Sequence, residues 1–308
     1  MISILFGAGA SFGSENGHPA PPLGDALFDA LDSLGGAYSK LTNEQKINFR
    51  EHGFEIGMLT IPNNSVIINP LQNELAIYLS SFHPSKDSAY IKLFKMLGDK
   101  TKKINILTLN YDLLIEESLI YAGNKFVQYG VFDNEISVLK VHGSSNFIPH
   151  ISGLIGNMVA IDCGSFVETN QMKILNNHEE INAWCKSSHA QSLSPVMCMY
   201  NKEKRAVINN EMLNSFRGEY NKAILSSDFI VIIGVKFIPH DNHIWDSIMS
   251  SDIKLIIVDP YPSDLFIDTL REMKIEYILI KKPFHRAVTR LSGIIRSKLR
   301  KQKKFITP

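Results

Sequence analysis

The chain has 308 residues, 44% of them hydrophobic and 20% charged, with 32 Lys and Arg against 31 Asp and Glu. That length buries a real core in one large domain or two modest ones, the hydrophobic and charged content excludes a disordered chain, and the near-zero balance excludes a polycation that grips nucleic acid through bulk charge. Cys163, Cys185 and Cys198 make no C-x-x-C pair and no disulfide framework, no apolar stretch approaches the roughly 20 residues that span a bilayer, and the opening apolar run lacks a basic leader, so the expectation is a cytoplasmic protein without a membrane segment.

The predicted elements begin at once. Ile2, Ile4, Leu5 and Phe6 read as a buried strand that runs into Gly7-Ala8-Gly9-Ala10-Ser11. Small residues there let a ligand approach the backbone, and a helix N-terminus beyond them favours a phosphate. The same residues also suit a tight strand-to-helix turn with no ligand. A dinucleotide fingerprint wants a third glycine three places after the second, and here Phe12 stands there, with Gly13 one place later. Pro19, Pro21 and Pro22 stiffen the following loop, and a helix through Leu27, Phe28 and Leu31 stops at Gly35-Gly36. Apolar residues three and four apart then predict a helical insertion over 36–103.

The run 104–109 is a second apolar strand ending in Asn110-Tyr111-Asp112, and a helix with Leu113, Leu114, Ile115 and Leu119 on its apolar face follows, stopping at Gly123. A third strand, 136–141, ends in His142-Gly143-Ser144-Ser145-Asn146. A second, irregular or helical insertion is expected over 150–210. Next come a helix at 211–225, a strand at 229–233 before Gly234, a strand at 255–258 before Asp259-Pro260, and a last strand at 275–280. A basic amphipathic helix closes the chain over 284–308; its charged face is either solvated or a dock for an acidic partner or nucleic acid.

Short apolar strands alternating with helices predict an α/β fold: one domain over 1–308 with a doubly wound, mainly parallel, Rossmann-like sheet. In such sheets ligands sit outside the carboxyl ends of the strands, where Gly7–Gly9, Asn110–Asp112, His142, Gly234 and Asp259 all fall. Asn110 and Asp112 are also ordinary helix caps, and His142 is also compatible with a structural role. His240, Asp241 and His243 offer metal-binding groups, but their position favours capping and starting a helix through Trp245 and Ile248.

An opening G-A-G-A-S, the run T-L-N-Y-D and a strand ending in H-G-S, in this order, resemble the sirtuin-like NAD-consuming family. The late element FIVIIGVKF extends the resemblance over most of the chain. The likeness is greater to a bacterial branch whose members hydrolyse NAD in anti-phage defence instead of deacylating proteins. The resemblance implies that Ala8, Gly9, Ala10 and Ser11 line the pyrophosphate and ribose, that Asn110 holds the nicotinamide ribose and the attacking water, and that Asp112 supports the nicotinamide pocket. By the same resemblance His142, with Gly143 beside it in the nucleotide site, is the general base, and Gly234 and Asp259 hold the adenosine half. A neutral imidazole is suited to accepting a proton near neutral pH, and an amide oxygen with a carboxylate suits a cation-like sugar.

Two features depart from the protein-deacylating members. No pair of C-x-x-C motifs is present to make their zinc ribbon, so no zinc is expected, and the loop HPAPPLGD replaces their Pro-Asp-Phe-Arg segment. The implied activity is hydrolysis of NAD to nicotinamide and ADP-ribose. Its implied control is homo-oligomerisation or a separately encoded sensor, Argonaute-like or ATPase, with nucleic acid engaged only indirectly. The alternatives are a non-catalytic module that binds NAD or ADP-ribose, and an NAD-dependent deacylase or ADP-ribosyltransferase.

Overall fold

The computed structural model describes residues 1–62, 64–130, 135–150, 157–161, 164–169, 171–198, 210–251 and 253–304. Its strands are β1 (Ile2–Phe6), β2 (Ile104–Thr108), β3 (Gln128–Tyr129), β4 (Ser137–Lys140), β5 (Phe147–Pro149), β6 (Asn157–Ile161), β7 (Gly164–Glu168), β8 (Met172–Ile174), β9 (Phe229–Ile233), β10 (Lys254–Val258) and β11 (Tyr277–Ile280). The helices before β2 are α1 (Ala8–Phe12), α2 (Gly24–Asp32), α3 (Asn43–Leu59), α4 (Ser65–Ser80) and α5 (Ala89–Leu97). Those after it are α6 (Leu114–Tyr121), α7 (His178–Cys185), α8 (Asn210–Leu225), α9 (Asn242–Met249), α10 (Asp264–Glu272) and α11 (Phe284–Lys304).

Seven strands form one sheet in the order β11-β10-β9-β1-β2-β4-β3, every neighbouring pair parallel. This is the α/β, doubly wound architecture expected. Strands covered by helices on both faces must be largely apolar on both, which is why ISILF, INILT and FIVII are rich in apolar residues and buried throughout, with Ser3 and Asn105 hydrogen-bonded to each other. The chain steps from β1 to β2, out to the edge strand β3 and back to β4 between them, then returns to β9 on the other side of β1. The carboxyl ends of β1 and β9 therefore flank the point where the winding reverses, the place such sheets keep for a ligand.

Two apolar clusters hold the chain together. The larger joins the sheet to α5, α6, α8, α9, α10 and α11. The smaller centres on Phe28, Tyr38, Phe49 and Phe54, with Phe28 stacked on Phe49 at 4.4 Å, and reaches Leu71 and Leu75 of α4, Ile148, and Ile181 of α7. Between β1 and β2, then, α5 belongs to the sheet core: Tyr90 lies 5.2 Å from Phe6 and 5.2 Å from Phe284 of α11. The start of α3 is fixed by a Thr42–Gln45 capping box, and the helix is broken at Gly53, whose φ is 84°.

Some details differ from the sequence reading. β3 is a two-residue edge strand in a segment to which the sequence reading assigned no element. Antiparallel pairs β5–β8 and β6–β7, together with α7, fall in and beside the segment read as irregular. Cys163 lies outside the described residues. Among the described residues no helix is long and apolar enough to cross a membrane.

Candidate functional site

At the reversal point the loops after β1 and β9 touch backbone to backbone. The Gly7 N–H donates to the Ile233 carbonyl (3.0 Å) and the Gly9 N–H to the Gly234 carbonyl (2.9 Å). Gly234 has φ 57°, and a Cβ there would lie 2.2 Å from the Ala10 nitrogen; a Cβ on Gly7 would lie 2.5 Å from the Gly234 oxygen. The glycines therefore serve a close approach of main chains. Two N–H groups that the sequence offered to a phosphate are already donated within the fold. Ala8 is exposed and Gly9 half-buried, whereas Ala10 and Ser11 are buried.

Ser11 instead organises a buried network. Its hydroxyl donates to Asp112 Oδ2 (2.8 Å) and accepts from Asn110 Nδ2 (2.9 Å). With its one hydrogen used, Ser11 must also accept from the Tyr90 hydroxyl, 3.1 Å away. Burial and the nearby Asp112 hold Tyr90 well above the ordinary phenol range, so it remains a neutral donor. Asn110 Nδ2 donates as well to the Gly7 carbonyl at 2.9 Å. A carbonyl only accepts, so this contact fixes which end of the amide is nitrogen. Both amide hydrogens point inward, and Oδ1 is what Asn110 has to offer a ligand.

Asp112 caps the next turn through Oδ1, which accepts the Leu114 N–H (3.1 Å). Burial raises its carboxyl above the usual range, with Lys140 and Ser11 opposing the shift. Lys140, fully buried at the end of β4, donates to the Asp112 carbonyl and to Glu116 Oε1, 2.9 Å away. Tyr129 donates to the same Glu116 oxygen (3.2 Å) and accepts from Asn146 Nδ2 (3.0 Å). This layer braces the Asn110–Asp112 turn from below.

His142 is level with Asn110. Thr108 and Lys140 are register partners on β2 and β4, and each candidate follows its strand partner by two residues. His142 is 5% exposed, and its Nε2 lies 2.9 Å from Nε2 of His243, which is half-buried in the first turn of α9. So His243 does open a helix, as its position in the sequence suggested, and it also meets the candidate base. Among the described residues no group of three or more His, Cys, Asp or Glu is arranged to hold a metal.

Other candidates lie apart from this network. Gly143 has φ 86°, and a Cβ on it would lie 2.1 Å from the Val196 oxygen; it packs the turn after β4 against 196–197. Asp259 follows β10, the strand beyond β9, and accepts the Tyr261 N–H (2.8 Å) in a local turn. Burial raises its carboxyl above the usual range. A surface pocket lined by His18, Pro19, Ser81, Phe82, His83 and Ser85 shares none of these residues. Sequence reasoning missed Tyr90, Glu116, Lys140 and the partnership of His243. A lysine inside ISVLKV and a glutamate on the apolar helix LLIEESLI were the available signals, since a charge placed to be buried needs a partner.

No family model and no curated protein matches the sequence. Among solved structures, a Sir2 homologue in complex with NAD overlays with a TM-score of 0.53 at 16% identity, covering 97% of this chain and 90% of that one. A serine-to-alanine variant of a Sir2 homologue bound to ADP-ribose gives 0.48 at 15% identity, over 97% and 92% of the two chains. The first of these establishes a shared fold.

Proposed function

We propose that the chain hydrolyses NAD to nicotinamide and ADP-ribose. The observation that carries this reading is the orientation of Asn110: Gly7 and Ser11 engage its amide nitrogen and leave its oxygen for a ligand, at a strand end in register with the one that carries His142. The fold shared with an NAD-bound Sir2 homologue supports the choice of substrate.

In this reading the bond between C1′ and the nicotinamide nitrogen breaks through a cation-like sugar, with both bonding electrons leaving on nicotinamide. Water attacks C1′, and its proton passes to His142. Asn110 Oδ1 accepts a hydrogen bond from the water or the neighbouring ribose hydroxyl, holding the nucleophile in line. Asp112 acts through Ser11, keeping the donors of Asn110 pointed inward. Ala8 and Gly9, exposed and half-buried in the first turn of α1, are the residues against which the pyrophosphate would rest. Gly234, beneath that loop, and Asp259, beyond it, are assigned by resemblance to the adenosine half.

Continuous NAD loss is toxic, so the proposed setting is anti-phage defence, with activity released by homo-oligomerisation or a separate sensor protein. The test is nicotinamide release from NAD by wild type, Asn110→Ala and His142→Ala. Release by the wild type alone supports the reading. Equal release by all three sinks the assigned roles, and release that requires an acylated peptide would make the chain a deacylase instead.

A further inference from the structure

The chain's formal charge of +1 hides an uneven distribution. Ten of the 32 Lys and Arg lie in 281–304, a stretch without Asp or Glu, which leaves 22 against all 31 acids in 1–280. Most of that stretch is α11, whose 21 residues make a rod about 31 Å long. It runs from the carboxyl ends of the strands toward their amino ends. At its start the His285 N–H donates to the Gly13 carbonyl (2.9 Å), just past α1. Farther along, the Lys298 ammonium lies 5.5 Å from the ring centre of Phe229, the first residue of β9. Phe284, Ala287, Val288, Leu291, Ile295 and Leu299 are buried, so the apolar side of the helix is spent on the domain core.

The outward side is cationic and not neutralised. At 100° per residue, Arg286, Arg290 and Arg300 fall within about 80° of arc and along about 21 Å of axis. All three are exposed, as are Lys281, Lys282 and Lys298. Among the described residues none of these six makes an ion pair, whereas Lys222, Lys254 and Arg271 elsewhere on the surface each hold a carboxylate. Thr289, Gly293 and Ser297 stand between the arginines, all exposed and none of them acidic or bulky. Arg286 and Arg290, one turn apart, repel each other, a cost that an anionic partner removes.

We propose that this face of α11 binds the phosphate backbone of duplex DNA, a direct contact where the resemblance implied only an indirect one. It stands apart from the hydrolase reading. A helix that lies on a membrane needs a free apolar face for the acyl chains, and here that face is packed against the sheet. Single strands are held by bases stacked on aromatic rings, and the one Phe among the described residues of α11, Phe284, is buried. A flexible acidic segment loses freedom on being laid along 21 Å of helix, whereas a duplex presents its phosphates already in line. Guanidinium groups and the hydroxyls of Thr289 and Ser297 are the donors that phosphate oxygens accept from. With its inner side packed on the domain, α11 lies flat against the backbone and reads no bases.

The test is fluorescence anisotropy of a labelled DNA duplex of about 20 base pairs, longer than the roughly nine that the helix spans, titrated with the full chain. Wild type should bind unrelated sequences alike and lose about 40-fold or more in affinity between about 50 and 200 mM salt, as three phosphate contacts require. The triple variant R286Q/R290Q/R300Q should bind at least about 10-fold more weakly at the lower salt, with the slope of log affinity against log salt reduced by about 1 per arginine. Those three side chains make no hydrogen bond or ion pair among the described residues, so the variant should keep the wild-type Tm. K222Q/K254Q/R271Q removes the same formal charge from cations that already have partners and should bind as wild type does. A wild type that leaves the duplex free overturns the proposal, and so does equal binding by R286Q/R290Q/R300Q. Retention by polyglutamate or by anionic phospholipid vesicles in place of the duplex overturns it as well, assigning the face to an acidic protein or a membrane.

Discussion

Replacing Gly234 with alanine tests whether the site is held by main chains in contact. The residue has φ 57°, a region that costs an L side chain roughly 1–2 kcal/mol. The new Cβ would lie 2.2 Å from the Ala10 nitrogen and 2.3 Å from the Gly9 carbonyl carbon. These are backbone atoms with no rotamer to escape into, and relieving such overpacking costs roughly 1–3 kcal/mol. Moving the loops apart also breaks the 2.9 Å bond from the Gly9 N–H to the Gly234 oxygen, worth roughly 0.5–1.5 kcal/mol. Together these come to roughly 3–6 kcal/mol, a large share of the roughly 5–15 kcal/mol by which domains are stable. The readout is the urea midpoint at constant m-value, with nicotinamide release measured on the fraction that remains folded. A Gly234→Ala protein within about 0.5 kcal/mol of wild type would refute the close-contact argument. Gly218→Ala and Gly293→Ala are the controls: both glycines are helical, a Cβ at either meets nothing within 4 Å, and each change should stabilise by roughly 0.5–1 kcal/mol.

Lys140→Met strands Glu116 as a buried carboxylate and should cost roughly 3–5 kcal/mol, while adding Glu116→Leu should return most of it in the same denaturation assay. Asn110→Asp turns an acceptor oxygen toward the Gly7 carbonyl beside Asp112; it should lose roughly 1–3 kcal/mol of stability and abolish nicotinamide release. Asp112 has a folded pKa above its unfolded value of about 3.9, so the folded state favours its protonated form. Its contribution to stability is greatest below that unfolded value and is lost as pH rises through the folded one. The Tm of wild type relative to Asp112→Asn should therefore be highest in acid and decline toward neutrality, and a constant difference would contradict the shift.

The sheet was legible because parallel strands buried on both faces leave dense apolar runs, and ILF-Gly, LTL-Asn, VLKV-His and VII-Gly mark their carboxyl ends in the sequence itself. β3 was invisible for the opposite reason: two residues, Gln128 and Tyr129, on an edge carry no period. The 150–210 stretch resisted because its pairings are short and antiparallel, joining 147–149 to 172–174 across a long gap. At the site, residue types were readable and partnerships were not. Nothing local in PHDNH says that its last histidine meets one a hundred and one positions earlier. Ser11, read as a ligand contact, is turned inward by a tyrosine on α5 that no motif includes.

The position of β1 at the middle of the sheet has a consequence for how the protein is made. Its two neighbours are β2, Ile104 facing Ile2, and β9, Phe229 facing Ile2. A chain growing from its N-terminus carries ISILF with both edges bare through more than a hundred residues of synthesis, and with one edge bare until β9 emerges. Contacts of such range make folding slow and leave a hydrophobic edge open to wrong partners in the meantime. The same arrangement acts as a safeguard. Asn110 is not oriented until β1 and β2 have paired, and His142 does not meet His243 until α9 is present. A truncated or half-made chain therefore lacks the assembled groups on which the proposed hydrolysis depends.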